Sequence, residues 1–135
     1  MTDSKNYPYQ QAVSIIKIQS ILTIIFGGIG VLFGLLVLGL FGFAMSAAYS
    51  DADALGFFIL FICTLLFWLL PHIYFIISGV TLYRLPHPRI VKILTIVNLV
   101  IGVFWNIVLL VFAIITLVQS ADYESGYKPT PRSAK

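Results

Sequence analysis

Charge is what this sequence has least of. Only 10% of its 135 residues are Asp, Glu, Lys or Arg, against 60% that are hydrophobic. Mean hydropathy is +1.03. A small soluble domain has much surface per unit volume and must cover it with polar groups. Eight basic and five acidic side chains cannot do so. Lipid is therefore the expected solvent for most of the exterior, and the expected fold class is an all-α integral membrane protein. Cysteine is nearly absent as well. Cys63 stands alone, which excludes an internal disulfide and leaves the redox compartment unreadable. The two histidines, His72 and His87, are well separated, and no carboxylate falls inside a long apolar run. No nucleophile triad, zinc ligand set or acid–base pair can be assembled from these residues. A non-enzyme without metal or cofactor is expected. Gly27-Gly28-Ile29-Gly30 is not a phosphate loop, since no strand precedes it and no Lys or Ser/Thr completes it.

Where charge is missing matters more than how much. Residues 18–50, 54–83 and 93–121 contain no Lys, Arg, Asp or Glu. The hydrocarbon core is ~30 Å thick and is crossed by ~20 apolar residues rising ~1.5 Å each. Each stretch holds one crossing with residues to spare, whereas two crossings within the last would leave roughly 15 residues apiece, below the usual minimum. The expectation is a bundle of three long transmembrane helices, at about 18–44, 55–83 and 90–120. They make up a membrane domain over 12–120, with a polar lead at 1–11 and a disordered tail at 121–135. The alternative is four spans, with the last segment broken near Gly102.

Two patterns pull in opposite directions on that choice. Thr95, Asn98, Gly102, Asn106, Ala113 and Thr116 fall within an arc of about 80° when placed at 100° per residue, which favours one unbroken helix. Lys and Arg, however, gather on the cytoplasmic side of membrane spans. Lys5, Lys17, Arg84, Arg89 and Lys92 put the N-terminus and the 84–92 loop inside; three spans then leave Lys128, Arg132 and Lys135 outside, and four would bring them in. The wheel and the lengths favour three. The net charge of +3 points to anionic lipid headgroups, met by Lys17, Arg84, Arg89 and Lys92, and not to nucleic acid. A multi-pass protein of the plasma membrane is the expected setting.

Within the helices, small and polar residues mark the faces that should meet protein. Thr23, Gly27, Gly30 and Gly34 share one face of the first span, while Gly39, Gly42 and Ser46 share another about 100° away. Small residues let helix backbones approach closely in lipid, so both sets, with Gly102, read as helix-packing positions. Ser50, Asp51 and Asp53 are suited to cap the second helix, and Pro71 should bend it. His87 reads as an interfacial or capping residue. Trp68 and Trp105 lie near mid-span and read as packing residues, while Tyr7, Tyr9, Tyr49, Tyr83 and Tyr123 suit the interfacial belts. Counting outward from the turn near Pro86 brings His72 to a depth between Asn98 and Asn106, so these three are a candidate polar cluster. The leading functional expectation is a structural, accessory or interaction subunit, packing against itself or a partner membrane protein. The alternative is an oligomeric transporter or channel with a polar core at His72, Asn98 and Asn106.

Overall fold

A computed structural model describes residues 7–48 and 50–128, and among these every regular element is helical. Helix α1 (Tyr7–Ser46) opens with Pro8 in its first turn, where the missing N–H would have no helical partner anyway. Its buried residues are Ala12, Ile16, Gln19, Ser20, Thr23, Gly27, Gly30, Gly34 and Leu38. Their spacing of three and four makes one stripe along the helix. α2 (Asp51–Thr64) starts at Ser50, whose Oγ accepts from the Asp53 N–H at 3.2 Å and donates to Asp53 Oδ2 at 2.6 Å. The expected cap is in place.

No break separates α2 from α3 (Leu70–Tyr83). They are joined by a π-helical turn, Leu65–Leu69, in which the Leu70 N–H reaches back to the Leu65 carbonyl. Pro71 has no N–H to give to the turn before it. The wider turn lies directly ahead of that proline, where such bulges accommodate a disturbed hydrogen-bond ladder. The chain leaves α3 with Leu85 in the left-handed region, φ 51°. That conformation costs a leucine about 1–2 kcal/mol, and its packing against the buried cluster below offsets the cost. His87 then caps α4 (Pro88–Trp105), its Nδ1 accepting from the Arg89 N–H at 3.3 Å with Pro88 in the first turn.

The single helix expected over 90–120 is two helices. α4 ends at Trp105, Asn106 is extended (φ −159°, ψ 106°), and α5 (Ile107–Gly126) begins at once. The Asn106 N–H donates to the Gly102 carbonyl at 2.9 Å, closing α4. Its side-chain Oδ1 accepts from the N–H groups of Val108 at 2.9 Å and Leu109 at 3.3 Å, opening α5. Lys92 pairs with Glu124, the Tyr123 hydroxyl donates to the Pro86 carbonyl at 2.8 Å, and Gly102 lies against the backbone of Leu110. All three contacts are centred near Asn106, which is the register of an antiparallel hairpin.

Two helices fit because they extend beyond the charge-free residues 93–121. Arg89 and Lys92 lie inside α4, and Asp122 and Glu124 inside α5, so the helices have 18 and 20 residues. Of the tail expected from 121, Ala121–Gly126 are helical, held by Tyr123 and by the Glu124 pair. Residues 129–135, with Arg132 and Lys135, lie outside the described residues, as do Lys5 and Tyr49. Four segments are thus long and apolar enough to cross a membrane: Tyr7–Ser46, Asp51–Tyr83, Pro88–Trp105 and Ile107–Gly126.

The described residues form two compact units. One comprises the start of α1 up to Thr23 together with everything from Ser78 onward; the other is 24–77. In the first, Ala12, Ile16, Leu82, Val91 and Tyr123 form a fully buried cluster to which α1, α3, α4 and α5 all contribute. Tyr9 stacks on Tyr123 with ring centroids 5.8 Å apart. Tyr123, read from the sequence as a belt residue, is a core residue. The outward faces of the helices are Leu, Ile, Val and Phe, a surface suited to lipid and costly in water.

Candidate functional site

Within the unit 24–77, three glycines of α1 form a bed for the aromatic side chains of the π turn and α3. A Cβ on Gly30 would overlap the His72 ring, and one on Gly34 would come within 2.9 Å of Trp68 Cδ1. On Gly27 it would meet the His72 carbonyl at 2.9 Å. A side chain at any of the three would have to displace these neighbours. Trp68 donates its indole N–H to the Gly30 carbonyl at 3.0 Å, and its ring stacks on His72 at 5.0 Å. His72 Nδ1 donates to the Trp68 carbonyl at 2.7 Å. A carbonyl can only accept, so Nδ1 carries a proton. Phe75 closes the cluster edge-on at 5.9 Å from the His72 ring. The second small-residue face behaves differently. Among the described residues nothing lies within 4 Å of a Cβ placed on Gly39 or Gly42, and the Ser46 hydroxyl bonds back to the Phe43 carbonyl.

The other unit holds several buried polar side chains. Asn98 accepts at Oδ1 from the Ser78 hydroxyl at 3.0 Å. Thr95 lies one turn away on the same face of α4, and Thr116 is buried on α5. Gln19, Ser20 and Thr23 are buried on α1, with Ser20 and Thr23 bonded to carbonyls one turn back. Gln19 Oε1, Thr95 Oγ1, Asn98 Nδ2 and Thr116 Oγ1 find no hydrogen-bond partner among the described residues. Buried polar atoms are normally paired, so these four are the most unusual chemistry among the described residues of this unit.

Each member of the candidate trio thus has partners of its own: His72 with Trp68 and Gly30, Asn98 with Ser78, and Asn106 with the first turn of α5. Gly102 serves the hairpin, since a Cβ there would sit 3.1 Å from the Leu110 nitrogen. Of the basic residues, Lys17, Arg84 and Arg89 are exposed, and Lys92 is tied to Glu124. Among the described residues no group of three or more His, Cys, Asp or Glu side chains could hold a metal ion.

No family model, curated protein or solved structure matches the chain. Function must be argued from this geometry alone.

Sequence reasoning missed Ser78 and Gln19, and it gave Trp68 no specific partner. The Trp68–His72 contact could have been found, because residues four apart meet on one helix face. Ser78 could have been noted as one of the hydroxyl residues of α3, beside Thr81. Its partner could not.

Proposed function

We propose that this chain is a non-enzymatic, multi-pass membrane protein that works as a structural, accessory or interaction subunit, packing through small-residue helix faces. The observation that carries the reading is the bed of Gly27, Gly30 and Gly34 filled by Trp68 and His72. The histidine within the long apolar run is committed to ring and backbone contacts, the use expected of interhelical glue in lipid. A second small-residue face at Gly39, Gly42 and Ser46 remains open and suits a second copy or a partner helix. Unbiased co-purification from native membranes, with subunit stoichiometry measured in nanodiscs, tests this. Recovery as a strict monomer without partner would count against it.

The α4–α5 hairpin supports an even number of passages through the membrane plane. Both termini and the Arg84–Lys92 loop then share one side, and the basic residues at 5, 17, 84, 89, 92, 128, 132 and 135 all gather there. This is the arrangement that the charge bias of cytoplasmic loops favours, and it removes the conflict that three spans leave. The basic end faces anionic headgroups of the plasma membrane from the cytoplasm. Compartment-specific tags on the two ends test it: reports from opposite sides would restore the odd count.

A second reading, an oligomeric transporter or channel with a polar core including His72, Asn98 and Asn106, draws support from the unpaired Asn98 Nδ2 and from Thr95 Oγ1 one turn away on the same helix face. Solute flux in proteoliposomes that is abolished by Asn98→Leu, with folding retained, would favour it over the first.

A further inference from the structure

We propose that the α4–α5 hairpin is re-entrant: it enters and leaves through one membrane surface, and its Asn106 turn stays beneath the opposite headgroup layer. The inference rests on the reading that both termini share a side, and it adds how deep the hairpin reaches.

Length is the first ground. The Lys92–Glu124 ion pair, with both side chains partly exposed, marks the level at which the hairpin meets headgroups. From there to Asn106 the helices rise about 21 Å along α4 and about 27 Å along α5. Measured from this pair both arms fall short of a hydrocarbon core of about 30 Å, although each whole helix is long enough to cross one.

The chemistry of the tip is the second. Phe104 and Ile107 flank Asn106 and are 76% and 74% exposed, with Val103 exposed beside them. A turn standing in water does not present that surface. The turn before α2 presents exposed Ser50, Asp51 and Asp53 instead.

Hydrogen bonding is the third. Non-helical backbone is tolerated at membrane depth only where its polar groups are satisfied from within the protein. Asn106 meets that condition. Its N–H donates to Gly102, its carbonyl accepts from the Leu110 N–H at 3.0 Å, and its side-chain oxygen takes two more N–H groups of α5. Gly102, pressed against Leu110, lets the helices turn on a single residue. The hairpin thus avoids the longer polar loop that emergence into water would favour.

Cysteine accessibility in sealed vesicles tests this. In the full chain carrying Cys63→Ser, single cysteines are placed by Ala47→Cys, Phe104→Cys and Ile107→Cys and treated with a membrane-impermeant maleimide from each side. Expected is labelling of Ala47→Cys from the side opposite the termini, and no labelling of the other two from either side until detergent is added. Labelling of Phe104→Cys or Ile107→Cys from the far side, to the extent seen at Ala47→Cys, would overturn the inference in favour of full crossings. Labelling from the terminal side would overturn it in favour of a surface hairpin. Terminal tags on opposite sides would instead sink the shared-side reading beneath it. Should the tip cysteines disturb folding, Trp105 fluorescence in a Trp68→Phe chain, quenched by lipids brominated at graded depths, gives an independent measure. Maximal quenching by acyl-chain bromines is expected, and quenching confined to headgroup-proximal bromines would refute it.

Discussion

Replacing Gly30 with alanine adds one methyl group where the structure has no room for it. The new Cβ would overlap Cδ2 and Nε2 of His72, and that ring cannot simply swing aside. It is held by its Nδ1 bond to the Trp68 carbonyl and lies between Trp68 and Phe75. Either the ring leaves its stack or α1 moves away from the Trp68 indole, which bonds the Gly30 carbonyl. Overpacking of this kind costs about 1–3 kcal/mol. The interhelical hydrogen bond adds about 0.6 kcal/mol, and a lost ring contact about 0.5–1.5 kcal/mol. Gly30→Ala should therefore destabilise by roughly 2–5 kcal/mol on these grounds. Thermal unfolding in detergent, followed by tryptophan fluorescence and circular dichroism, measures it. Gly39→Ala is the matched control, since nothing lies within 4 Å of a Cβ there, and it should be neutral or slightly stabilising. Combining Gly30→Ala with His72→Ala removes the obstructing ring, so the double change should cost at least ~1 kcal/mol less than the sum of the singles. Equal melting of the Gly30 and Gly39 variants, or strict additivity in the cycle, would refute the packing argument.

Three further outcomes follow from contacts already described. Ser78→Ala should cost about 0.6–1.7 kcal/mol by removing the donor to Asn98, and in an Asn98→Ala background the same change should cost almost nothing; detergent unfolding of the four-member cycle checks this. Tyr123→Phe keeps the stack on Tyr9 but loses the hydrogen bond to the Pro86 carbonyl, so a loss of about 1 kcal/mol is expected in the same assay. Asn106→Ala removes the cap of α5 and should cost ~1 kcal/mol, while Asn106→Ser, which retains a capping oxygen, should recover most of it.

What could be read from the sequence was local. Pro8 at the start of α1, Ser50 ahead of α2 and His87 ahead of α4 mark helix starts through contacts made within a few residues. The glycine stripe of α1 was legible for the same reason, as a periodicity on one helix. The Asn106 turn was not, because the buried stripes of α4 and α5 happen to stay in phase. Pro88, Val91, Thr95, Asn98 and Gly102 face inward on one; Leu109, Ala113, Thr116, Ser120 and Tyr123 do so on the other. Leu109 follows Gly102 by seven residues, about two helical turns. A wheel drawn through both cannot distinguish a straight helix from a hairpin. The usable signal was chemical: asparagine, a favoured N-cap, four residues after a glycine. Pairs such as Ser78 with Asn98 depend on how helices dock, which no single-helix periodicity contains.

The π turn at Leu65–Leu69 has a consequence for how this chain tolerates changes in length. Such a turn holds one residue more than an α turn. Deleting Leu66, whose side chain is exposed, would relax the bulge into ordinary helix while Trp68, His72 and Ser78 keep their bearings. Removing a residue between His72 and Ser78 would instead rotate one of them by about 100° relative to the other. It would separate either the aromatic pair from its glycines or the hydroxyl from its amide. The rod from Asp51 to Tyr83 therefore carries its slack at Leu66, ahead of Trp68, His72 and Ser78, where the chain can shorten without loosening any of the three.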